Sequence, residues 1–424
     1  MITNDRVGTW SFDFYPDDKE RAKEEMQSAI PEFWDKIKAI SKQNVVSKSL
    51  GKVLLLKSYA GLGDIFFTLP AVYKLKKVSE SVTYALSPRL VSFFQKYLKG
   101  IQVVDATQID HAEFDTVIEF GNYPIFDRSV DQIEYVTSKK VKQHSIQHYI
   151  DAVCRFHKEL SNKYTGFPYF DRETDFDNLH YTLHPGAGFL LKIWPTENYA
   201  ELIEEIYRVF PKLRCKIILG KDDPNPQQFL SKEYSHIDLV TGDLHEVGEA
   251  MAAAIFHIGN DAGITHVAGA FNVPTVGIYG PTGPGSWGSF SEQNEIVWGK
   301  PGNCTLKCNY DVIINCKDRV CLSSISAVKV MEALFKLLQK TYDTEDFDVF
   351  LNPVSVYDLT EKDCLVKWRE NEVLLEFQNE EIRKYVSELL KKPIHTMEEL
   401  EHNDIFHFFY ENELLFLIPK ILRE

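Results

Sequence analysis

The sequence predicts an α/β fold of two doubly wound domains facing a cleft, followed by a small α+β domain. Short apolar runs typical of buried parallel strands alternate with helical patterns, and this alternation begins twice, near residues 51 and 180. In each half the first strand is followed by a loop that contains glycine. Two such halves of similar size predict a ligand site in the cleft between them.

Length and charge narrow the class of protein. The chain has 424 residues, which predicts two or three domains, and a net charge of -15, which argues against a nucleic-acid-binding protein. Neither a signal-peptide pattern at the N-terminus nor a run of about 18 apolar residues is present in the sequence. We therefore expect a cytoplasmic protein, at most peripheral at the inner membrane, and leave a homo-oligomer open.

The first 170 residues divide into an extension and a domain. Residues 1–50 form the extension, with a helix from Asp17 and Asp18 to about Lys42. The first Rossmann-like domain, residues 51–170, opens with a strand at Val53–Leu56 and a helix from Asp64 to about Lys77, which Pro70 should break or kink. The elements expected after it are a strand at Ser81–Ala85, a helix at Val91–Leu98 and a strand at Thr116–Glu119.

The second Rossmann-like domain, residues 171–340, starts after a polar linker. Its centre is a strand–turn–helix–strand unit over Ile258–Gly280. The other elements expected are a strand at Tyr181–His184, a helix at Asn198–Val209, a strand at Lys216–Leu219 and a helix at Ser326–Gln339.

Residues 341–424 differ in composition, with 20 acidic and 9 basic residues. We expect an accessory α+β domain here, built from a duplicated hairpin, whose acidity is a solvated surface or a docking face for a basic partner. Its expected elements are strands at Cys364–Trp368 and Val373–Phe377, a helix at Glu380–Leu390, and strands at Phe406–Tyr410 and Leu414–Ile418.

Within the central unit, Asp261 and Gly263 lie at the turn where the helix begins, and His266 lies about one turn into it. Free N–H groups at a helix N-terminus favour a phosphate or diphosphate, and the carboxylate and imidazole suit sugar hydroxyls and phosphate oxygens. The alternative is that Asp261 only caps the helix.

Three further loops carry candidate residues. Gly63 and Asp64 open a helix, where Asp64 is either a cap or a general base. Gly186 follows a strand and precedes Lys192, which is either a counter-charge for a diphosphate or a surface lysine. Asp223 follows the next strand, at the place where such folds bind a ribose hydroxyl, although it is also placed to cap a helix.

Four of the seven cysteines crowd into 18 residues: Cys304, Cys308, Cys316 and Cys321. In a reducing compartment such a cluster favours a structural zinc or iron site over disulfides. Free thiols in a packed loop are the main alternative.

Three separated motifs resemble glycosyltransferase family 9, the ADP-heptose:lipopolysaccharide heptosyltransferase family, in order and spacing over about residues 50–340. They are Gly61-Leu62-Gly63-Asp64 with Thr68-Leu69-Pro70, then Pro185-Gly186 with Lys192-Ile193-Trp194-Pro195, and then Asn260 to Ala270 with Pro274-Thr275 and Gly280-Pro281-Thr282.

The resemblance implies a GT-B fold and inverting transfer of a heptose or related sugar from a nucleotide-diphospho-sugar, with an ADP-sugar favoured, to a glycolipid core or surface glycan. It implies Asp64 as the base, at a pKa that the helix N-terminus should keep low. Lys192 and the N–H groups near Gly263 would stabilise the leaving diphosphate, and no catalytic metal is expected. His266 would contact phosphate or sugar, Asp261 the sugar hydroxyls and Asp223 the ribose.

The sequence departs from the family pattern in four ways. Its first strand begins only near residue 52, after the N-terminal extension, and an extra C-terminal domain follows residue 340; two site positions also differ. Ala262 replaces the usual Ser or Thr, and Asp223 replaces the usual Glu. The N-terminal extension and the cysteine cluster also resemble autotransporter heptosyltransferases, so a protein acceptor is an alternative. A sugar-nucleotide epimerase and a non-catalytic scaffold are the others.

Overall fold

The computed structural model describes residues 49–57, 61–120, 144–154, 156–174, 178–188, 190–221, 223–226, 230, 234–299, 316, 319–342, 347–352, 356–368, 371–396, 400, 404–412 and 414–423. The helix expected between Asp17 and Lys42 lies outside these residues, as do Cys304 and Cys308. In the described part of the chain no helix is long and apolar enough to cross a membrane.

The first lobe is built on a four-stranded parallel sheet in the order β3-β2-β1-β4. Its strands are β1 (Lys52–Lys57), β2 (Ser81–Leu86), β3 (Gln102–Asp105) and β4 (Thr116–Glu119). Its helices are α1 (Leu62–Lys76), α2 (Pro88–Tyr97) and α3 (Ser145–Val153). The sequence predicts β1, β2, β4 and both of the first two helices but not β3 or α3, which are short.

Helix α1 runs without interruption past Pro70 to Lys76, so the expected break at Pro70 was wrong. An interior proline costs about 3 kcal/mol because one backbone hydrogen bond is lost. Here Ile65, Leu69 and Val72 on the same helix are fully buried. Packing of these side chains offsets the cost, since tertiary burial supplies most of the stability of a helix in a protein.

The second lobe contains a six-stranded, wholly parallel sheet in the order β10-β9-β8-β5-β6-β7. Its strands are β5 (His180–His184), β6 (Arg214–Ile218), β7 (Ile237–Val240), β8 (His257–Asn260), β9 (Thr275–Tyr279) and β10 (Asn294–Trp298). Its helices are α4 (Thr196–Val209), α5 (Leu244–Ala252), α6 (Gly263–Ala270), α7 (Pro284–Trp287), α8 (Val320–Ser323) and α9 (Ala327–Thr341). Because β5 and β8 are neighbours, the loops after His184 and Asn260 leave the sheet side by side.

The two lobes are joined by one apolar core. Phe66 and Leu69 of the first lobe are buried in the same cluster as Met251, Val267 and Phe271 of the second. The lobes are therefore packed together along α1 and α6, and the polar groups described below lie at the N-terminal ends of these two helices.

The C-terminal part consists of two three-stranded antiparallel sheets, in the orders β15-β11-β16 and β12-β13-β14. Its elements are β11 (Phe347–Leu351), β12 (Val356–Leu359), β13 (Asp363–Trp368), β14 (Asn371–Glu376), α10 (Glu380–Leu389), β15 (Ile394–Thr396), α11 (Asp404–Glu411) and β16 (Leu415–Pro419).

The strand expected at Phe406–Tyr410 was wrong, because this segment is part of helix α11. Its aromatic residues favour a strand by composition, but Phe406 and Phe409 are the buried ones, and this i, i+3 spacing is helical. The second expected hairpin therefore does not form, so the expectation of a duplicated hairpin was wrong.

One of the C-terminal sheets is fused to the second lobe by its core. The Phe335 ring on α9 lies 4.9 Å from the Phe350 ring and 5.1 Å from the Phe416 ring. All three belong to the cluster that fills the second lobe. The accessory part is thus anchored to the lobe by shared burial.

We predict that Phe335→Ala destabilises the second lobe and the β11–β16 sheet together, by about 3–5 kcal/mol, because it leaves a cavity between them. Hydrogen exchange should show lost protection in both regions. The matched control is Leu374→Ala, at a side chain that is 51% exposed, which should change stability by less than about 0.5 kcal/mol. Lost protection confined to one of the two regions would contradict a shared core.

Candidate functional site

The site lies where the N-termini of α1 and α6 meet, and glycines allow the approach. A Cβ atom added to Gly63 would lie 2.6 Å from His266 Cδ2, and one added to Gly263 would lie 3.0 Å from Leu62 Cβ. Two helix N-termini, one from each lobe, therefore face the same region, where both helix dipoles favour negative charge.

Asp64 occupies the first turn of α1, and its carboxylate accepts a hydrogen bond from the Gly61 N–H. This bond is half of a capping box, so Asp64 does cap its helix. Burial raises the pKa of Asp64, against the opposing charges of Lys57 and Lys192. The expectation that the helix N-terminus would keep this pKa low was wrong, because desolvation of the carboxylate outweighs the helix dipole.

Lys192 and Asp261 form an ion pair from neighbouring loops of the second lobe. Lys192 ends a 3₁₀ turn, and its Nζ lies 2.8 Å from Asp261 Oδ2. The Thr282 hydroxyl donates to the same oxygen. Lys192 is 26% exposed and Asp261 is 5% exposed, so the ammonium lies on the solvent side of a buried carboxylate.

The carboxylate of Asp261 therefore pairs with Lys192 and accepts a hydrogen bond from Thr282, and it does not cap α6. The N-cap residue of α6 is Ala262, whose side chain makes no capping hydrogen bond. Burial works to raise the pKa of Asp261, but Lys192, His266 and the Thr282 hydroxyl together hold it below its usual value. Asp261 is thus an anion next to the first turn of α6.

His266 is buried and neutral. Its Nε2 lies 4.0 Å from Asp261 Oδ1, and its ring packs against the Phe67 and Phe290 rings at 4.6 and 5.8 Å. Burial lowers the pKa of His266 to about 4, although Asp261 opposes the shift. Its Nδ1 is a buried atom with no hydrogen-bond partner among the described residues.

His144, which the sequence analysis did not identify, belongs to the first lobe and packs against the same Phe67 ring as His266. Its ring lies 5.4 Å from the Phe67 ring, and its Nε2 donates to the Gly288 carbonyl at 3.0 Å. Burial lowers its pKa as well. The neighbouring Ser145 hydroxyl donates to the Ser286 carbonyl at 2.8 Å, so the two residues tie the first lobe to α7 and to Gly288 directly after it.

Asn260 was also missed as a positioning residue. It is fully buried, and its amide donates to the carbonyls of Pro185 and Gly186 at 2.9 and 3.1 Å. Its Oδ1 accepts from the Trp194 N–H at 3.1 Å. Asn260 therefore fixes the chain before and after Lys192, at Pro185-Gly186 and at Trp194. In the sequence, this role is indicated only by the position of a polar amide at the end of a predicted strand.

Asp223 lies beside Gly186. Its carboxylate accepts from the Gly220 N–H at 2.6 Å and from His184 Nε2 at 3.0 Å. A Cβ atom at Gly186 would clash with this carboxylate, so Gly186 is required here for space. Burial tends to raise the pKa of Asp223, but His184 and the Gly220 N–H lower it overall. The described hydrogen bonds of the Asp223 carboxylate therefore go to Gly220, after β6, and to His184, at the end of β5.

Lys57 is the third residue that the sequence reading missed. It ends β1, is 1% exposed, and donates from Nζ to the Tyr149 hydroxyl at 3.0 Å. A lysine at the end of an apolar run is typical of a strand end that faces solvent. The sequence therefore does not indicate that Lys57 is buried.

Of the four clustered cysteines, the described residues include Cys316 and Cys321. Cys316 and Cys321 are partly buried, and a Cβ atom at Gly280 would lie 3.1 Å from Cys321 Sγ. Over the described ranges, no group of three or more histidine, cysteine or acidic residues could hold a metal ion.

The sequence matches known proteins in its middle part. A family model described as "Glycosyltransferase family 9 (heptosyltransferase)" matches residues 134–317. Lipopolysaccharide heptosyltransferase 1 of Escherichia coli O18:K1:H7 (strain RS218 / NMEC) is 29% identical over 114 residues, which are 26% of this chain. That alignment spans 34% of the relative, so the chain matches about a third of its length.

Solved structures match over a larger part. The glycosyl transferase family 9 structure from Veillonella parvula DSM 2008 has a TM-score of 0.57 at 18% identity and covers 70% of this chain and all of that one. The iron-containing dodecameric glycosyltransferase TibC from enterotoxigenic E. coli H10407 has a TM-score of 0.52 at 14% identity and covers 71% of this chain and 79% of that one. A second TibC structure contains ADP-D-beta-D-heptose.

The similarity of the solved structures confirms the predicted fold class. Together with the family model and the curated relative, it leads to one conclusion: the resemblance of this chain to glycosyltransferase family 9 is confirmed, and its two parallel-sheet lobes have the GT-B fold of that family.

Proposed function

We propose that this protein is an inverting glycosyltransferase that moves a sugar from a nucleotide-diphospho-sugar to an acceptor hydroxyl. One observation carries the proposal: Asp64 directly follows Gly63, which lies against the His266 ring, so the carboxylate from the first lobe faces the helix N-terminus beside Lys192 and Asp261 and interacts with the charges of both. A base and a cation for a leaving diphosphate are the two groups that such a displacement needs.

In the proposed reaction, Asp64 accepts the proton of the acceptor hydroxyl as its oxygen bonds to the anomeric carbon of the sugar. The bond from that carbon to the diphosphate breaks, and the diphosphate leaves with the electron pair. A single displacement inverts the anomeric centre. Burial, which raises the pKa of Asp64, makes it a stronger base than an exposed aspartate.

The diphosphate would lie against Lys192 and the N–H groups in the first turn of α6, since both supply positive charge. Lys192 is partly exposed and ends a short 3₁₀ turn, so its ammonium can exchange Asp261 for a phosphate oxygen. Asp261 would then be available to the sugar hydroxyls, His266 would contact phosphate or sugar, and Asp223 the ribose.

An ADP-sugar carrying heptose or a related sugar is the favoured donor. The support is the curated relative, a lipopolysaccharide heptosyltransferase, and the ADP-heptose in the TibC structure. The acceptor we propose is a glycolipid core or surface glycan, met on the cytoplasmic side. A protein acceptor is the second candidate, and the similarity to TibC is compatible with either.

We predict that Asp64→Asn lowers transfer by about 10²–10⁴-fold, the usual contribution of a general base, while nucleotide affinity is kept. Product formation and nucleotide binding should be measured on the same preparation. Asp243→Asn is the matched control, because Asp243 also caps a helix N-terminus, that of α5, by accepting from the His245 and Glu246 N–H groups. Full transfer by Asp64→Asn would remove Asp64 from the reaction, and donor turnover without any acceptor would favour the epimerase.

The cysteine cluster is a separate proposal. Cys304, Cys308, Cys316 and Cys321 would hold a structural zinc or iron through four thiolates. The support is the spacing of the cysteines in the sequence and the similarity to TibC, which is an iron-containing glycosyltransferase. Cys321 lies against Gly280, so such a centre would brace the loop that continues to Thr282.

For this metal, elemental analysis of protein purified without added metal should find about one zinc or iron per chain, as four thiolate ligands bind one ion. Cys304→Ser should lower that content. The control is Cys154→Ser, at an isolated and partly buried cysteine, which should leave it unchanged. Equal metal content in the wild type and in Cys304→Ser would exclude the site.

A further inference from the structure

Arg319 connects the start of α8 to the turn that carries Lys192. Its Nη1 donates to the Leu190 carbonyl at 3.3 Å and to the Ile193 carbonyl at 3.5 Å. The Leu190 carbonyl also accepts from the Ile193 N–H at 3.2 Å, across the 3₁₀ turn Leu190–Lys192. One guanidinium therefore bonds two carbonyls that lie on either side of Lys192.

The segment that holds Arg319 is bonded to the lysine loop at a second place. The Trp194 indole N–H donates to the Ile325 carbonyl at 2.9 Å, and the Asn198 amide donates to the same carbonyl at 3.3 Å. Trp194 is fully buried, so this second contact is fixed in the core of the second lobe. The core thereby sets the position of Arg319 against the loop.

Packing alone does not hold the turn in place. The Leu190 side chain is 67% exposed. A cavity of about 330 Å³ lies between the two segments, and the residues that line it include Ile193, Pro195, Arg319 and Leu322. A short 3₁₀ turn also has poorer hydrogen-bond geometry than an α-helix. Because hydrogen bonds from a charged donor are the stronger kind, the guanidinium compensates for the missing packing.

The backbone at Arg319 supports a specific role for its side chain. Its φ is 42°, in the left-handed region that glycine adopts readily and that is unfavourable for a residue with a Cβ atom. Such a conformation persists where the surrounding structure fixes it, and it is often found at functional sites. The arginine side chain is therefore retained at a position where glycine would relieve the backbone.

We propose that Arg319 is a positioning residue for Lys192: by holding the carbonyls on both sides, it keeps the Lys192 ammonium where it can bind the diphosphate of the donor. In the structure this ammonium lies 2.8 Å from Asp261 Oδ2, and it has to exchange that oxygen for a phosphate oxygen while its backbone stays in place. This inference rests on the proposed role of Lys192. Arg319 itself is assigned no contact with donor or acceptor.

The test compares the affinity for ADP with the affinity for adenosine, which lacks the diphosphate. Arg319→Gln and Arg319→Gly should each weaken ADP binding about tenfold, the scale of one hydrogen bond that involves a charged group, and leave adenosine binding unchanged. Arg319→Gly is included because glycine tolerates the left-handed backbone. Arg319→Lys should keep part of the ADP affinity, since an ammonium can still donate to one carbonyl.

Arg172→Gln is the matched control. Arg172 also donates from Nη1 to a backbone carbonyl, that of Asn272 at 3.1 Å, but beyond the C-terminal end of α6. Its loss should lower stability and leave ADP affinity unchanged. Unchanged ADP affinity in both neutral Arg319 variants would overturn the proposal, as would an equal loss for ADP and adenosine. Failure of both variants to fold would also overturn it, because Arg319 would then serve stability alone.

A Lys192→Ala background separates this inference from the proposed function. If Arg319 acts through Lys192, Arg319→Gln should add little to the loss of ADP affinity that Lys192→Ala causes. If Lys192→Ala weakens ADP binding and Arg319→Gln adds its full effect, only the inference fails. If Lys192→Ala leaves ADP affinity unchanged, the proposed diphosphate site fails, and the inference fails with it.

Discussion

The close approach of two helix N-termini, one from each lobe, is the constraint on which the site depends. A Cβ atom at Gly63 would meet the His266 ring and one at Gly263 would crowd Leu62, so the two glycines let the N-termini of α1 and α6 approach closely. The apolar core that runs across both lobes holds them there. Charged groups on these two helices, and on the loops beside them, are thereby brought together.

Burial decides how the charges at this contact behave. Asp261 stays an anion because Lys192 and Thr282 compensate it, while His266, enclosed by Phe67 and Phe290, is held neutral. Asp64 has the opposite balance, since desolvation wins and raises its pKa. Two aspartates in one site therefore differ in basicity because of their surroundings, and this difference matches an electrostatic role for Asp261 and a proton-accepting role for Asp64.

The sequence predicts most of the fold and the residues that carry charge, but not their partners. Apolar runs such as Val53–Leu56 and the turn before Gly263 are local signals, so strands, helix starts and Asp64, Lys192, Asp261 and His266 can be read directly. Asn260, His184 and Lys57 act through contacts between residues far apart in the chain: Asn260 bonds residues 66 to 75 positions away, and Lys57 bonds Tyr149. Local patterns also mislead where composition and spacing disagree, as in the aromatic segment of α11.

The central claim is that the meeting point of α1 and α6 binds a nucleotide-diphospho-sugar. The most direct test is a panel of ADP-, GDP-, UDP- and CMP-sugars, in which stabilisation against unfolding and product formation are both measured on the full chain. The account predicts that, at equal concentration, an ADP-sugar stabilises the protein most, by about 2.7 kcal/mol where that concentration is a hundred times its dissociation constant, and that it alone supports efficient transfer. If no nucleotide sugar stabilises the protein at any concentration, the claim is wrong.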